Sequence, residues 1–133
     1  MIEGLEIREG LEGLTPARII TLYRRAPLQR RVDDAEKMWA MYERSSLVLT
    51  AWHQGRLAGV ARGLTDGLLQ SYLCDLAVEP DVQGLGIGRA LIDAVLDHFK
   101  GTEVVLRDSD ISTTFYAHMG FDRVDNAWVR KAQ

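Results

Sequence analysis

Cysteine is nearly missing from this sequence. Cys74 is the one thiol among 133 residues, so no disulfide can close within the chain. Histidine is almost as scarce. His53, His98 and His118 stand far apart and match no ligand spacing, so a zinc site lacks both sulfur and imidazole, and no metal is expected. A basic excess is missing too: 16 Lys and Arg face 19 Asp and Glu, a formal charge of −3, which suits a nucleic-acid partner poorly. No apolar run approaches the ~18 residues of a membrane span. The opening Met1 to Ile7 carries acids where a signal peptide carries bases. These absences lead us to expect a soluble, cytoplasmic protein with no membrane partner. Proline is rare at 3 and glycine stands at 12, which excludes collagen-like and low-complexity chains. What is present is ordinary: 47% hydrophobic and 26% charged residues, enough for one packed core over residues 1–133.

Periodicity supplies the elements. Ile2, Leu5 and Ile7 alternate with polar residues as in a short strand. Thr15 caps a helix whose first position is Pro16, and Ile19, Leu22, Tyr23 and Ala26 form its apolar stripe until Pro27 stops it. A second helix starts near Asp33-Asp34 and buries Met38, Trp39, Met41 and Tyr42 as plain core. Ser46 to His53 and Leu57 to Leu64 read as a hairpin about Gln54-Gly55, followed by a long strand from Leu68 to Val78. A helix from Gly86 to Lys100 repeats Ile87, Leu91, Val95 and Phe99 on one face. A buried strand at Val104 to Leu106, a short helix from Thr113 to Met119, and a final hairpin of 121–124 with 127–130 complete the chain. Strand, helix and strand across residues 68–106 imply one parallel crossover in an otherwise antiparallel sheet.

The informative stretch runs from the end of the long strand into the next helix, Glu79-Pro80-Asp81-Val82-Gln83-Gly84-Leu85-Gly86-Ile87-Gly88-Arg89. Alternating glycines let backbone N–H groups approach an anion, and the helix N-terminus adds unpaired donors and partial positive charge. The Walker loop fails because Arg89 follows Gly88 with no Lys-Ser/Thr beyond. The Rossmann fingerprint fails because its third glycine would fall on Arg89. A tight structural turn is the plainer reading, but three glycines in five residues favour a phosphate site.

Gln83-Gly84-Leu85-Gly86-Ile87-Gly88, followed after the next strand by Thr114-Phe115-Tyr116-Ala117-His118-Met119-Gly120-Phe121, resembles the GNAT superfamily of acetyl-CoA-dependent N-acetyltransferases. The element order agrees over nearly the whole chain. Cys74-Asp75-Leu76-Ala77-Val78 is similar to branches of the family that act on small amines. The sequence departs from the family where many members carry Asn shortly before the tyrosine; here Ser109, Asp110 and Ser112 stand nearby.

The resemblance implies an α+β fold: a mixed, mostly antiparallel sheet with one parallel pair splayed into a V and helices on both faces. Acetyl-CoA would lie in the V. Its pantetheine would pair with backbone at Leu76, Ala77 and Val78, which would also supply oxyanion donors. Its pyrophosphate would lie on Gln83, Gly84, Leu85, Gly86, Ile87, Gly88 and Arg89, with Ser109 and Phe115 as further contacts. Tyr116 would protonate the departing thiolate. Unaided, Tyr116 reads equally well as a core aromatic, and Arg89 as a solvated helix residue. Asp75 is a carboxylate in an apolar strand and is either a hydrogen-bonded structural group or the group that receives the amine's proton. Cys74 reads as a small buried hydrophobe. Arg30 and Arg31 line the acceptor entrance or are solvated. The acceptor is a small-molecule or peptide amine, and the alternative is a non-catalytic acyl-CoA sensor on the same scaffold. Ala127-Trp128-Val129 reads as an exposed edge strand that pairs two copies into a homodimer.

Overall fold

A computed structural model describes residues 2–26, 33–108 and 113–132, without the side chain of Thr113. The first strand, β1, covers Leu5–Glu9. Two helices follow. In α1, Pro16–Arg25, the Thr15 hydroxyl oxygen accepts the Arg18 N–H at 3.1 Å. In α2, Ala35–Glu43, Asp34 accepts the Lys37 N–H at 3.0 Å. Both caps satisfy a donor that the helix ladder leaves over. Ile19, Leu22 and Tyr23 of α1 and Met38 and Tyr42 of α2 are buried. Trp39 and Met41 pack only partly. The stop expected at Pro27 lies outside the described residues.

Next come β2 (Leu47–His53), β3 (Arg56–Thr65) and β4 (Gln70–Val78). Gln54 and Gly55 join β2 to β3 with both φ angles positive, 53° and 81°, the two-residue turn whose twist matches a hairpin. A 3-10 turn at Pro80–Val82 leads to α3 (Ile87–His98), then β5 (Glu103–Leu106) and α4 (Thr113–His118). The five strands form one sheet in the order β1-β2-β3-β4-β5, antiparallel throughout except for the parallel pair β4–β5. Each face carries its own core. Leu49, Ala61 and Leu73 pack under Leu91, Ile92 and Val95 of α3 and Phe99, which caps it. Val48, Val60 and Ala77 pack under α1 and α2 on the other face. Helices therefore cover both faces, as the sequence implies. Among the described residues no helix is long and apolar enough to cross a membrane.

Two features depart from the sequence reading. The final hairpin does not form: residues 121–132 carry no strand, and Val124, Trp128 and Val129 are exposed. A hairpin with no surface on which to bury its apolar side is marginal in water. The second feature is a bulge in β4. Arg62 stands opposite Asp75 and Gly63 opposite Leu73, so Cys74 is the extra residue. Strict alternation would send Leu73, Asp75 and Ala77 to one face. The bulge leaves Leu73 on the α3 side while Ala77 joins the α1/α2 core.

Candidate functional site

The parallel ladder is short. It runs from Gln70–Glu103 to Leu73–Leu106 and stops there. β4 continues through Cys74, Asp75, Leu76, Ala77 and Val78, paired with β3 on one side; on the other, no strand among the described residues meets it. The two strands thus fork at Leu73 and Leu106, and β4 presents an open backbone edge beyond that point. This fork is the V that the sequence leads us to expect in the sheet.

The glycine loop closes the far end of that edge. The Gln83 side-chain amide donates to the Val78 carbonyl at 3.1 Å, so Gln83 braces the loop against β4. Gly84 and Gly86 adopt φ of 90° and 89°, which L side chains rarely enter. Gly86 caps α3 with no side-chain partner. The first bond of the helix is Ala90 N–H to Gly86 O at 3.0 Å, so the N–H groups of Ile87, Gly88 and Arg89 precede the ladder. A Cβ at Gly84 would meet nothing within 4 Å, so the space beside that residue is open. Leu85 and Arg89 are exposed, whereas the Ile87 side chain is buried in the α3 core. Gly88 faces α4: a Cβ there would lie 3.6 Å from the Phe115 ring and 3.8 Å from Val78. The fold therefore joins Val78, Gly88 and Phe115, which are far apart in sequence.

Tyr116 lies beside Phe115 in α4. Its ring meets Phe115 edge-on at 5.1 Å and Phe121 at 5.7 Å, and it packs against the α3-side core. Burial, reinforced by the negative charge of Asp108, pushes the Tyr116 phenol up to about 12. It therefore carries its proton at neutral pH.

Asp75 belongs to the opposite face. Its side chain is wholly enclosed, and its Oδ2 accepts from Arg62 Nε at 2.7 Å and from the Tyr23 hydroxyl at 3.0 Å. Tyr23 and Tyr42 hydroxyls are 2.6 Å apart. The Tyr23 proton is committed to a carboxylate, so Tyr42 is the donor in that pair, and the chain runs Tyr42 to Tyr23 to Asp75. Burial pushes both phenols well above their usual range. Burial also opposes the charge on Arg62, but the Asp75 carboxylate outweighs it and holds the guanidinium above its ordinary value. Arg62 also reaches Ser45 Oγ at 3.4 Å. Sequence reasoning missed Arg62, Tyr23 and Tyr42. The available signal was Asp75 itself, since a buried carboxylate demands a cation, and Arg62 sits on the neighbouring strand. Ser109, Arg30 and Arg31 lie outside the described residues.

A family model for the acetyltransferase (GNAT) domain matches residues 17–132. The chain belongs to the GNAT acetyltransferases. Serotonin N-acetyltransferase 2, a chloroplastic protein of Oryza sativa subsp. japonica, is 30% identical over 97 residues, which is 71% of this chain and 46% of that protein. Mycothiol acetyltransferase of Geodermatophilus obscurus is 43% identical over 63 residues, 41% of this chain and 20% of its own. The chain thus spans less than half the length of these curated relatives. Solved GNAT structures match over more than nine-tenths of this chain. A GNAT family acetyltransferase of Streptococcus pneumoniae TIGR4 superposes with a TM-score of 0.73 at 23% identity, covering 96% of this chain and 99% of its own. The ribosomal-protein-S18-alanine N-acetyltransferase of Escherichia coli gives 0.72 at 20% identity, covering 91% and 79%. At these identities the superpositions establish the GNAT fold of this chain.

Proposed function

We propose that this GNAT domain moves an acetyl group from acetyl-CoA to an amine by direct transfer. The observation that carries the reading is the fork: β4 parts from β5 at Leu73 and runs on to Val78 with no strand among the described residues on that edge, ending at a loop with three N–H groups ahead of the helix ladder. An extended amide chain can add to such an edge as a strand would. A pyrophosphate suits the unpaired donors at Ile87, Gly88 and Arg89. Gly84 and Gly86 keep side chains away from it, and Phe115 walls the loop from α4.

The residues of the chain then have separable tasks. The backbone at Leu76, Ala77 and Val78 holds the pantetheine arm and aims a donor at the developing oxyanion. The amine nitrogen bonds to the thioester carbonyl carbon, the carbon–sulfur bond breaks, and Tyr116 supplies the proton to the sulfur. Asp75 is engaged by Arg62 and Tyr23, so we assign it to positioning the strand; the proton lost by the amine passes to water. Binding is tested by the melting temperature with and without acetyl-CoA, because a ligand that binds the native state stabilises it. Acetyl-CoA is expected to raise the melting temperature of the wild type. Gly86→Glu fills the cradle with a side chain and a negative charge and should abolish that rise. A folded Gly86→Glu variant with a normal rise sinks the cradle.

A further inference from the structure

Three side chains stand in one row across three strands. Leu64 of β3 faces Tyr72 of β4, and Tyr72 faces Val105 of β5. Their neighbours settle which face they occupy. The Cβ direction of Gly63 meets the ring of Phe99 at the end of α3, so Leu64 turns the other way. Val104 and Leu106 pack on the α3-side core, so Val105 also turns away. The row thus lies on the α1/α2 face. Neither helix covers it, and Leu64 and Val105 remain 43% and 38% exposed. It floors a wide, open cavity of about 430 Å³ bordered by Ser46, Thr65, Asp66, Gln70 and Ser71. The pair Tyr72–Val105 is the rung immediately before Leu73–Leu106, where β4 and β5 part. One end of the cavity therefore adjoins the fork, on the face opposite Tyr116.

The cavity has one ionisable acid and no Lys, Arg or His among its lining residues. Asp66 Oδ1 accepts the N–H groups of Leu68, Leu69 and Gln70 at 2.8, 2.8 and 3.1 Å. Those bonds hold its carboxyl below the ordinary value. Its Oδ2 accepts no hydrogen bond among the described residues. An apolar floor, a carboxylate at the far end and a reacting centre at the near end make a distinct set of demands. A ligand with a carboxylate or phosphate would meet only like charge. A hydrocarbon stem ending in an ammonium satisfies both the floor and Asp66. From Gln70, where Asp66 is tied, to Leu73 is three residues, roughly 10 Å of strand, so the stem must be long.

We propose that this cavity seats the acceptor, and that the acceptor is a long-chain diamine: its far ammonium meets Asp66, its methylenes lie on Leu64, Tyr72 and Val105, and its near amine enters the fork. The proposal rests on the acetyl-transfer reading above and names the substrate class for that site.

Three eight-carbon amines test it in an assay of thiol release from acetyl-CoA: the terminal diamine, octylamine, and the amino acid with a carboxylate at its far end. They share a stem and differ in end charge. Exposed ion pairs are modest, so the expected steps in kcat/KM are about three- to fivefold, falling from diamine to octylamine to amino acid. High salt should compress both steps. Asp66→Asn keeps an Oδ1 for the three N–H groups and should bring the diamine down to the octylamine level. Tyr72→Ala should lower the rates of all three. Equal rates for the diamine and the amino acid overturn the proposal, as does a diamine advantage that survives Asp66→Asn. If acetyl-CoA raises the melting temperature but none of the three amines releases thiol, the cavity assignment fails and the transfer reading stands. If acetyl-CoA neither binds nor releases thiol with any amine, both fall.

Discussion

Arg62 donates its Nε to Asp75 Oδ2 at 2.7 Å, with the two side chains only 11% and 0% exposed. The pair bridges β3 and β4 two residues past the fork at Leu73 and, through Tyr23 and Tyr42, ties α1 and α2 to the same point. A charge enclosed in this way is expensive to leave alone. Asp75→Leu is expected to lower stability by about 3–5 kcal/mol because it strands the Arg62 guanidinium. The double variant Asp75→Leu with Arg62→Met should recover most of that loss. Denaturant unfolding of both variants checks it, and equal losses in the two would show that the charge itself is not what matters.

Asp75→Asn asks a separate question. If Asp75 only positions the strand, the variant loses stability and the pH–rate profile keeps its shape. A rate defect concentrated at low pH, where free amine is scarce, would instead make Asp75 the proton acceptor. One pH series on the wild type and Asp75→Asn separates the two.

Tyr116→Phe keeps the ring contacts with Phe115 and Phe121 and removes the hydroxyl. Turnover should fall by ~10²–10⁴ with little change in the KM for acetyl-CoA. Wild-type turnover in steps limited by chemistry would remove the acid assignment.

The same variant has a signature in stability. The folded chain holds the Tyr116 proton up to about 12, whereas the ordinary value is 10.0. Between those values the folded state binds more protons than the unfolded state, so stability falls as pH rises through this window. Below it the contribution is fully present. Tyr23 and Tyr42 add slopes of the same sign. Unfolding curves of Tyr116→Phe should therefore fall less steeply than those of the wild type, and parallel curves would contradict the burial of this phenol.

Gly63 marks where β3 and α3 touch. A Cβ there would sit 2.7 Å from Phe99 Cζ and 3.1 Å from the Tyr72 carbonyl oxygen. Gly63→Ala should cost about 1–3 kcal/mol, as overpacking usually does, and Phe99→Leu in the same chain should return part of it. Thermal melts of the three variants are sufficient.

Trp128 is fully exposed, and Val124 and Val129 are largely so. We expect the chain to self-associate through this segment and Trp128→Ser to weaken the association without changing the stability of the isolated fold. Light scattering across a concentration series reads the first effect and denaturant unfolding at low concentration the second.

The features legible in the sequence are those set by neighbours along the chain. Thr15 and Asp34 cap helices because a side-chain oxygen three residues ahead of an N–H satisfies it in any context. Gln54-Gly55 makes a hairpin because its positive φ angles suit the strand twist. The alternating glycines of residues 84–88 announce a bare loop at a helix start for the same local reason. The GNAT motifs drew on this local grammar and led to the right fold.

Tertiary structure decided what alternation and composition leave open. A bulge depends on the register of two strands, so nothing within β4 alone says that Cys74 is the extra residue or that Leu73 faces α3 while Ala77 faces α1 and α2. The partners of Asp75 lie 13 and 52 residues away, and only the packing of α1 and β3 against β4 brings them to one oxygen. The segment at 121–132 shows the converse. Its alternation favours a hairpin, but strand pairing is realised only where a ladder and a buried face are both on offer. The row Leu64, Tyr72 and Val105 belongs to three strands, and its exposure follows from where the helices end. Local sequence thus determined the capped elements and the glycine loop, because their interactions span a few residues. Register and helix placement determined the enclosed ion pair and the open cavity, because contacts between distant segments exist only once the chain is folded.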